Sequence, residues 1–303
     1  MKPFAPSDMP VDHGAVSALT ARLMPALAST RAFFSRRRRV MIALASILFI
    51  GGLAWAFDSA GIALDEIAWH WLLAALALGF VGVVLNGFEL SRCASALGKD
   101  IPAGQAIPMS SLGILSNLLP IPASALVRGG ALVATGATIA ESGRILLYVG
   151  LLRLAVAGAI TGAALASGPL GLPVIAASCV ASAVLFALIA RVGGLAVAVR
   201  LLALRIGMLA TVALQLLMCF HALGADADLA DAALHSIAPV VGSAVGIVPG
   251  GLGVSEAIGA ALALLASASP AMAFAALALN RIAGYACAGL TVLAFQARKL
   301  FVQ

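Results

Sequence analysis

The chain has 303 residues, 63% of them apolar and 10% charged, with a mean hydropathy of +1.12 and a formal net charge of +6. A soluble domain carries roughly 25% charged residues, so this composition excludes a soluble enzyme or a water-facing binding module: most of the chain must face lipid.

Residues 1–39 carry Lys2, Arg22, Arg31, Arg36, Arg37, Arg38 and Arg39 against Asp8 and Asp12. Most of the net charge therefore sits in one segment. A basic tail at a membrane border reads as a topology signal and a contact for anionic lipid headgroups. No basic stripe follows elsewhere, so a nucleic-acid partner is not expected. Residues 15–34 suit a weak amphipathic surface helix, interrupted at Pro25. Residues 40–303 are expected to form a single transmembrane domain.

The first predicted span covers residues 40–57, without a charge; at 1.5 Å per residue that is about 27 Å, close to the hydrocarbon thickness. It is read as an uncleaved signal anchor, because further spans follow. Asp58, Asp65 and Glu66 form an acidic loop. The second span, residues 67–90, starts at Trp69 and Trp71, where interfacial aromatics belong, and Glu89 with Arg92 is expected to be an interfacial pair at its end. Residues 101–140 are apolar but broken by Pro102, Pro108, Pro120 and Pro122. A third span covers 142–167, and GPLGLP (168–173) turns into a fourth, ending near Ala190. Arg191, Arg200 and Arg205 read as a basic loop before a fifth span, 206–223. Residues 232–269 are again irregular, broken by Pro239 and by PGGLG (249–253). The last span covers 270–295.

Arginines and lysines favour the cytoplasmic side, and the charge pattern closes only if each irregular region returns to the side it came from. The predicted fold is therefore an all-α polytopic membrane protein with about six spanning helices and two re-entrant helical hairpins, whose tips fall in 118–124 and 248–253. Both termini would be cytoplasmic. The two halves also echo each other. ALGKD (96–100) precedes the first irregular region and ALGAD (222–226) the second, and 33 residues separate Pro120 from Arg153 where 32 separate Pro249 from Arg281. Units of about 67–167 and 206–297 thus read as an inverted-topology repeat, a plan that places a transporter's site near the midplane at broken helices.

Charge inside the spans is the functional signal. A mid-span arginine costs about 2.5–3.5 kcal/mol on insertion scales, so it needs a partner or a wet cavity. Arg153 and Arg281 lie deep in their spans; Arg128 and Glu256 follow the breaks at Pro120, Pro122, Pro249, Gly250, Gly251 and Gly253. Arg128, Arg153 and Arg281 would offer forked donors to a phosphate, with Asn117 and Ser124 adding neutral hydrogen bonds. The competing reading is that these charges only pair with one another, Glu256 with Arg281 and Glu141 with Arg144. Glycines 136, 143, 150, 158 and 162 read as close-packing positions. Cys93, Cys179, Cys219 and Cys287 and the four histidines are scattered without metal spacing, and Lys99 has no phosphate-binding loop before it, so neither a metal, a cofactor nor nucleotide use is expected.

SNLLPIPASALVRGGAL (116–132), VGIVPGGLGVSEAI (245–258) and ALALNRIAGY (276–285) resemble the signature regions of the lysylphosphatidylglycerol synthase transmembrane-region family, which includes the flippase half of the multiple peptide resistance factor. The resemblance covers roughly residues 60–297 and implies a stand-alone member without the synthase domain, in a bacterial-type cytoplasmic membrane. It implies transbilayer movement of a phospholipid, with Arg128, Glu256 and Arg281 at charged motif positions. Pro122-Ala123-Ser124 departs from the glycine-rich turn of the first motif. The expected function is a lipid transporter, flippase or scramblase-like, moving an anionic or aminoacylated phospholipid, rather than an enzyme; a homo-oligomer is compatible with it. A small-anion transporter on the same plan is the alternative, and an enzyme of polyprenyl-phosphate lipids a weaker one, since no catalytic set of His, Asp and Glu is present.

Overall fold

The computed structural model describes residues 43, 46–118, 123–166, 168–244, 251–265 and 269–301. The basic tail, the start of the first predicted span, and the hairpin breaks at Pro120, Pro122, Pro249 and Gly250 lie outside the described residues. Among those described, the chain from Ala45 onward is one compact, all-helical unit. Its helices are α1 (Ser46–Ala60), α2 (Trp69–Ala96), α3 (Ala103–Ser116), α4 (Ala123–Ala134), α5 (Ile139–Ala164) and α6 (Gly171–Gly193). They continue with α7 (Leu195–Ala222), α8 (Leu229–His235), α9 (Ile237–Ala244), α10 (Val254–Leu262) and α11 (Pro270–Phe301). Five of them, α2, α5, α6, α7 and α11, are long and apolar enough to cross a membrane. The chain is accordingly a helical protein of membrane type. Large apolar side chains such as Leu73, Val81, Leu147, Val180, Val184, Leu214 and Leu290 are exposed on these helices, as surfaces that face lipid must be.

The central pair is α2 against α7. The Ala68 N–H donates to the Ala222 carbonyl (2.9 Å) at one end, and Glu89 meets Arg205 toward the other, so the two helices run antiparallel. They also end alike. After Ala96 the Gly98 N–H donates to the Ser95 carbonyl and the Lys99 N–H to that of Ala94; after Ala222 the Gly224 N–H donates to His221 and the Ala225 N–H to Phe220. Gly98 (φ 66°) and Gly224 (φ 76°) take the left-handed conformation that this double-bonded C-terminal cap requires and that glycine adopts without strain. The paired ALGKD and ALGAD segments of the sequence are thus two copies of one helix stop.

The contacts between the halves are reciprocal. Helices α3 and α4 pack together, as do α9 and α10. Helix α3 lies against α11, at the end of the second half, while α8 and α9 lie against α5, at the end of the first. The inner contact of each short pair is a glycine facing a serine. A Cβ on Gly113 would sit 3.4 Å from Ser124 Oγ, and one on Gly242 would sit 2.9 Å from the Ser255 Cα.

Several expectations change. Residues 195–222 form one uninterrupted helix, so Arg200 and Arg205 are not in a loop: only Gly194 (φ 83°) breaks the chain there. Helix α2 runs past residue 90 to Ala96, which puts Glu89 inside a span. Pro108 does not break α3, where the carbonyl it leaves without an amide donor belongs to Gly104, an exposed residue near the helix start. Pro239 lies in the first turn of α9, where an N–H is not needed. Glu141 closes a capping box with Thr138: its carboxylate accepts from the Thr138 N–H at 2.9 Å and the Thr138 hydroxyl at 2.8 Å. Its hydrogen bonds thus go to the cap instead of to Arg144.

The glycines divide sharply. Gly158 and Gly162 do hold α5 against α6, with a Gly162 Cβ only 2.9 Å from the Ile175 nitrogen, but Gly143 and Gly150 face open space and Gly136 (φ 89°) serves a turn. Gly87 is the tightest test of α2 against α3, since an added Cβ would meet the Ile107 Cα at 2.7 Å. Gly87→Ala is expected to cost about 1–3 kcal/mol through overpacking against backbone, whereas Gly104→Ala, with open space around it, should be neutral or slightly stabilising through helix propensity. Thermal unfolding of both variants in the same detergent checks the contrast.

Candidate functional site

Two ionic clusters lie among the helices, each at one of the short helix pairs. The first is built around Glu89, fully buried near the C-terminal end of α2. One carboxylate oxygen pairs with Nη2 of Arg128 from α4. The other lies 2.7 Å from Nη2 of Arg205 on α7. The Gly113–Ser124 contact sets α4 in place, because the Arg128 side chain passes over the same glycine: an added Cβ there would lie 3.6 Å from the Arg128 Cγ. Arg153, half-buried on α5, lies within Coulombic reach of Glu89, Arg128 and Arg205. Among the described residues it has no carboxylate of its own within ion-pair distance. The Nε–H groups of Arg128 and Arg205 are buried and also lack a hydrogen-bond partner among the described residues.

The second cluster is closed. Arg281 on α11 grips the buried Glu256 of α10 with a fork, Nε to Oε1 at 2.6 Å and Nη2 to Oε2 at 3.3 Å. The same Nη2 donates to the Gly251 carbonyl at 3.1 Å. Gly251 (φ 66°) and Gly253 (φ 78°) take left-handed conformations just before α10, so Arg281 ties that segment, the short helix and the last long helix together. Tyr285, one turn further along α11, lies against this pair.

The sequence-predicted residues therefore separate into groups. Arg128 and Arg153 fall together; Glu256, Arg281, Gly251 and Gly253 fall together elsewhere, in the mutual pairing of Glu256 with Arg281 that the sequence offered as the competing reading. Ser124 packs beside Arg128 at Gly113. Asn117 caps the end of α3, its N–H donating to Ile114 at 3.1 Å, and makes no side-chain bond to either cluster among the described residues. Glu89 is not an interfacial partner of Arg92, and Arg205 is not a loop residue: the two form a buried ion pair. Both were detectable. Glu89 precedes the Gly98 stop by more than two turns, and Arg205 has apolar neighbours on both sides, Leu201, Leu202 and Leu204 before it and Ile206 after, with no breaker since Gly194. Among the described residues no group of His, Cys, Asp and Glu is arranged to hold a metal.

Searched against protein-family models, curated proteins and solved structures, the chain matches none. The chemistry of the two clusters must therefore carry the functional reading.

Breaking a buried pair from one side strands the other charge, at about 3–5 kcal/mol. Arg281→Ala and Glu256→Ala are each expected to lose stability of that order. The double variant should lose clearly less than the sum of the two, as equilibrium unfolding in micelles would measure.

Proposed function

We propose that the chain moves an anionic or aminoacylated phospholipid across a bilayer, by lending the headgroup a polar path while the acyl tails stay in lipid. One observation carries this reading: ionised side chains are gathered at both short helix pairs, packed among helices of spanning length. An unsheltered headgroup charge in hydrocarbon costs many kcal/mol. Intramembrane charges of this kind mark a substrate path by default.

The re-entrant hairpins and the inverted repeat belong to the same proposal. At 1.5 Å per residue, α3 and α4 rise about 21 and 18 Å, short of the roughly 30 Å of a hydrocarbon core, and α8, α9 and α10 are shorter still. The antiparallel α2 and α7, their matched glycine stops and the reciprocal packing of each short pair on the other half's last helix all support a two-fold repeat of opposite orientation. Arg191 and Arg200, exposed on either side of the α6–α7 junction, favour the cytoplasmic side for that end of the bundle. The resemblance of the 116–132, 245–258 and 276–285 motifs to the lysylphosphatidylglycerol synthase transmembrane region supports a phospholipid as cargo, and a bacterial-type inner membrane as the setting.

The test is reconstitution into liposomes carrying fluorescent anionic and aminoacylated phospholipids, with reduction of the outer-leaflet label as readout. The wild type should equilibrate label between leaflets without nucleotide. Arg128→Gln should slow it by about tenfold or more, on the scale of one lost charge-assisted contact. Leaflet exchange no faster than in protein-free vesicles, for every headgroup, would reject the proposal.

A further inference from the structure

The two clusters differ in charge balance, and the difference points to a ligand. Glu256 and Arg281 neutralise each other. Around Glu89, three arginines face one carboxylate, leaving +2 among α2, α4, α5 and α7. Each guanidinium carries five N–H donors, so Glu89 cannot satisfy three of them, and the stranded Nε–H groups of Arg128 and Arg205 are the visible remainder. Arg205 is only 3% exposed. A buried excess of positive charge with unspent donors is a site made for an anion, and two excess charges suit a dianion.

We propose that Arg128, Arg153 and Arg205, held around Glu89, form a binding site for a phosphomonoester, supplied by a lipid whose headgroup is a terminal phosphate. A phosphomonoester carries about −1.5 to −2 at neutral pH and three acceptor oxygens, which match the surplus. A phosphodiester such as phosphatidylglycerol brings −1, and its lysyl ester a net positive charge, so both leave the cluster unbalanced. Glu89 keeps the arginines gathered when the site is empty, and the lone Arg153 is the group that the phosphate takes first. This inference deepens the transport reading and rests on it for the lipid; the charge site itself stands on the cluster alone.

The experiment uses the full chain in phosphatidylcholine nanodiscs, titrated by calorimetry with short-chain phosphatidic acid, short-chain phosphatidylglycerol and inorganic phosphate. Phosphatidic acid is expected to bind about tenfold tighter than phosphatidylglycerol of the same chain length, the scale of one extra charge-assisted pair. Arg153→Gln and Arg205→Lys should each weaken it about tenfold. Arg153→Gln is the variant safe for folding: removing a charge that has only like-charged company beyond Glu89 should hold or raise the unfolding midpoint, where a structural role would lower it. Equal binding of monoester and diester, or unchanged binding in Arg153→Gln, would overturn the inference. Arginine-dependent binding of phosphatidic acid without leaflet exchange of any lipid would uphold the site and reject transport. Binding of inorganic phosphate alone would overturn the lipid source. No binding at all, with exchange intact, would reject the site and leave transport standing.

Discussion

A carboxylate buried among spanning helices organises the first half of this protein. Glu89 is fully buried, so it must be met by cations brought to it by the fold, and these come from two different elements, α4 and α7. Without them its charge would stand uncompensated in a medium where desolvation costs several kcal/mol per ion. That constraint explains why α4 folds back over a glycine at 113, and it helps to set the register of α7 on α2. The pair is held at one end by Glu89–Arg205 and at the other by the Ala68–Ala222 hydrogen bond. With little hydrophobic driving force between helices in lipid, such polar contacts and the small-residue contacts at Gly79, Gly87, Gly158 and Gly162 specify which faces meet.

The second half solves the same problem with fewer parts. Glu256 and Arg281 are near neighbours across one helix interface, and the arginine spends its third bond on the Gly251 carbonyl. A backbone carbonyl outside a helix's own hydrogen bonds needs a partner when it is buried, and a guanidinium is well shaped to serve one while binding a carboxylate. Its chemistry there is explained by the architecture. The Glu89 cluster is different in kind: architecture accounts for Glu89, one contact from Arg128 and one from Arg205, and among the described residues leaves Arg153 and the buried Nε–H groups without a partner.

How much of this the sequence discloses follows from the range of each interaction. Span positions were legible because lipid exposure acts on local composition: α5, α6 and α11 fall close to where apolar runs place them. The helix stops at Gly98 and Gly224 were legible as a repeated pentapeptide, since a C-cap is written in a few adjacent residues. The Glu256–Arg281 pair was legible as one of two readings, because both charges stand in apolar surroundings and need a partner. The Glu89 cluster was not read as a unit: its arginines stand 39 to 116 residues from Glu89, on three other helices, and a loop was assigned around Arg205 because arginines were counted as topology markers before their apolar flanks were weighed. Pro108 misled in the opposite direction, since a proline near a helix start, with a glycine four residues earlier, costs less than one mid-helix.

The two halves do not carry equal charge. In each half, the last span bears an arginine, Arg153 or Arg281, and the second arm of the short pair bears a charge, Arg128 or Glu256. Opposite signs in the second half give a closed bridge; like signs in the first half give repulsion, which Glu89 and Arg205, contributed by the central helices, only partly reorganise. The halves thus match in their helix stops and reciprocal packing and differ in charge. Under the transport proposed above, that asymmetry would have a use: a neutral, tied half as a fixed frame, and a half with surplus positive charge as the place for the headgroup.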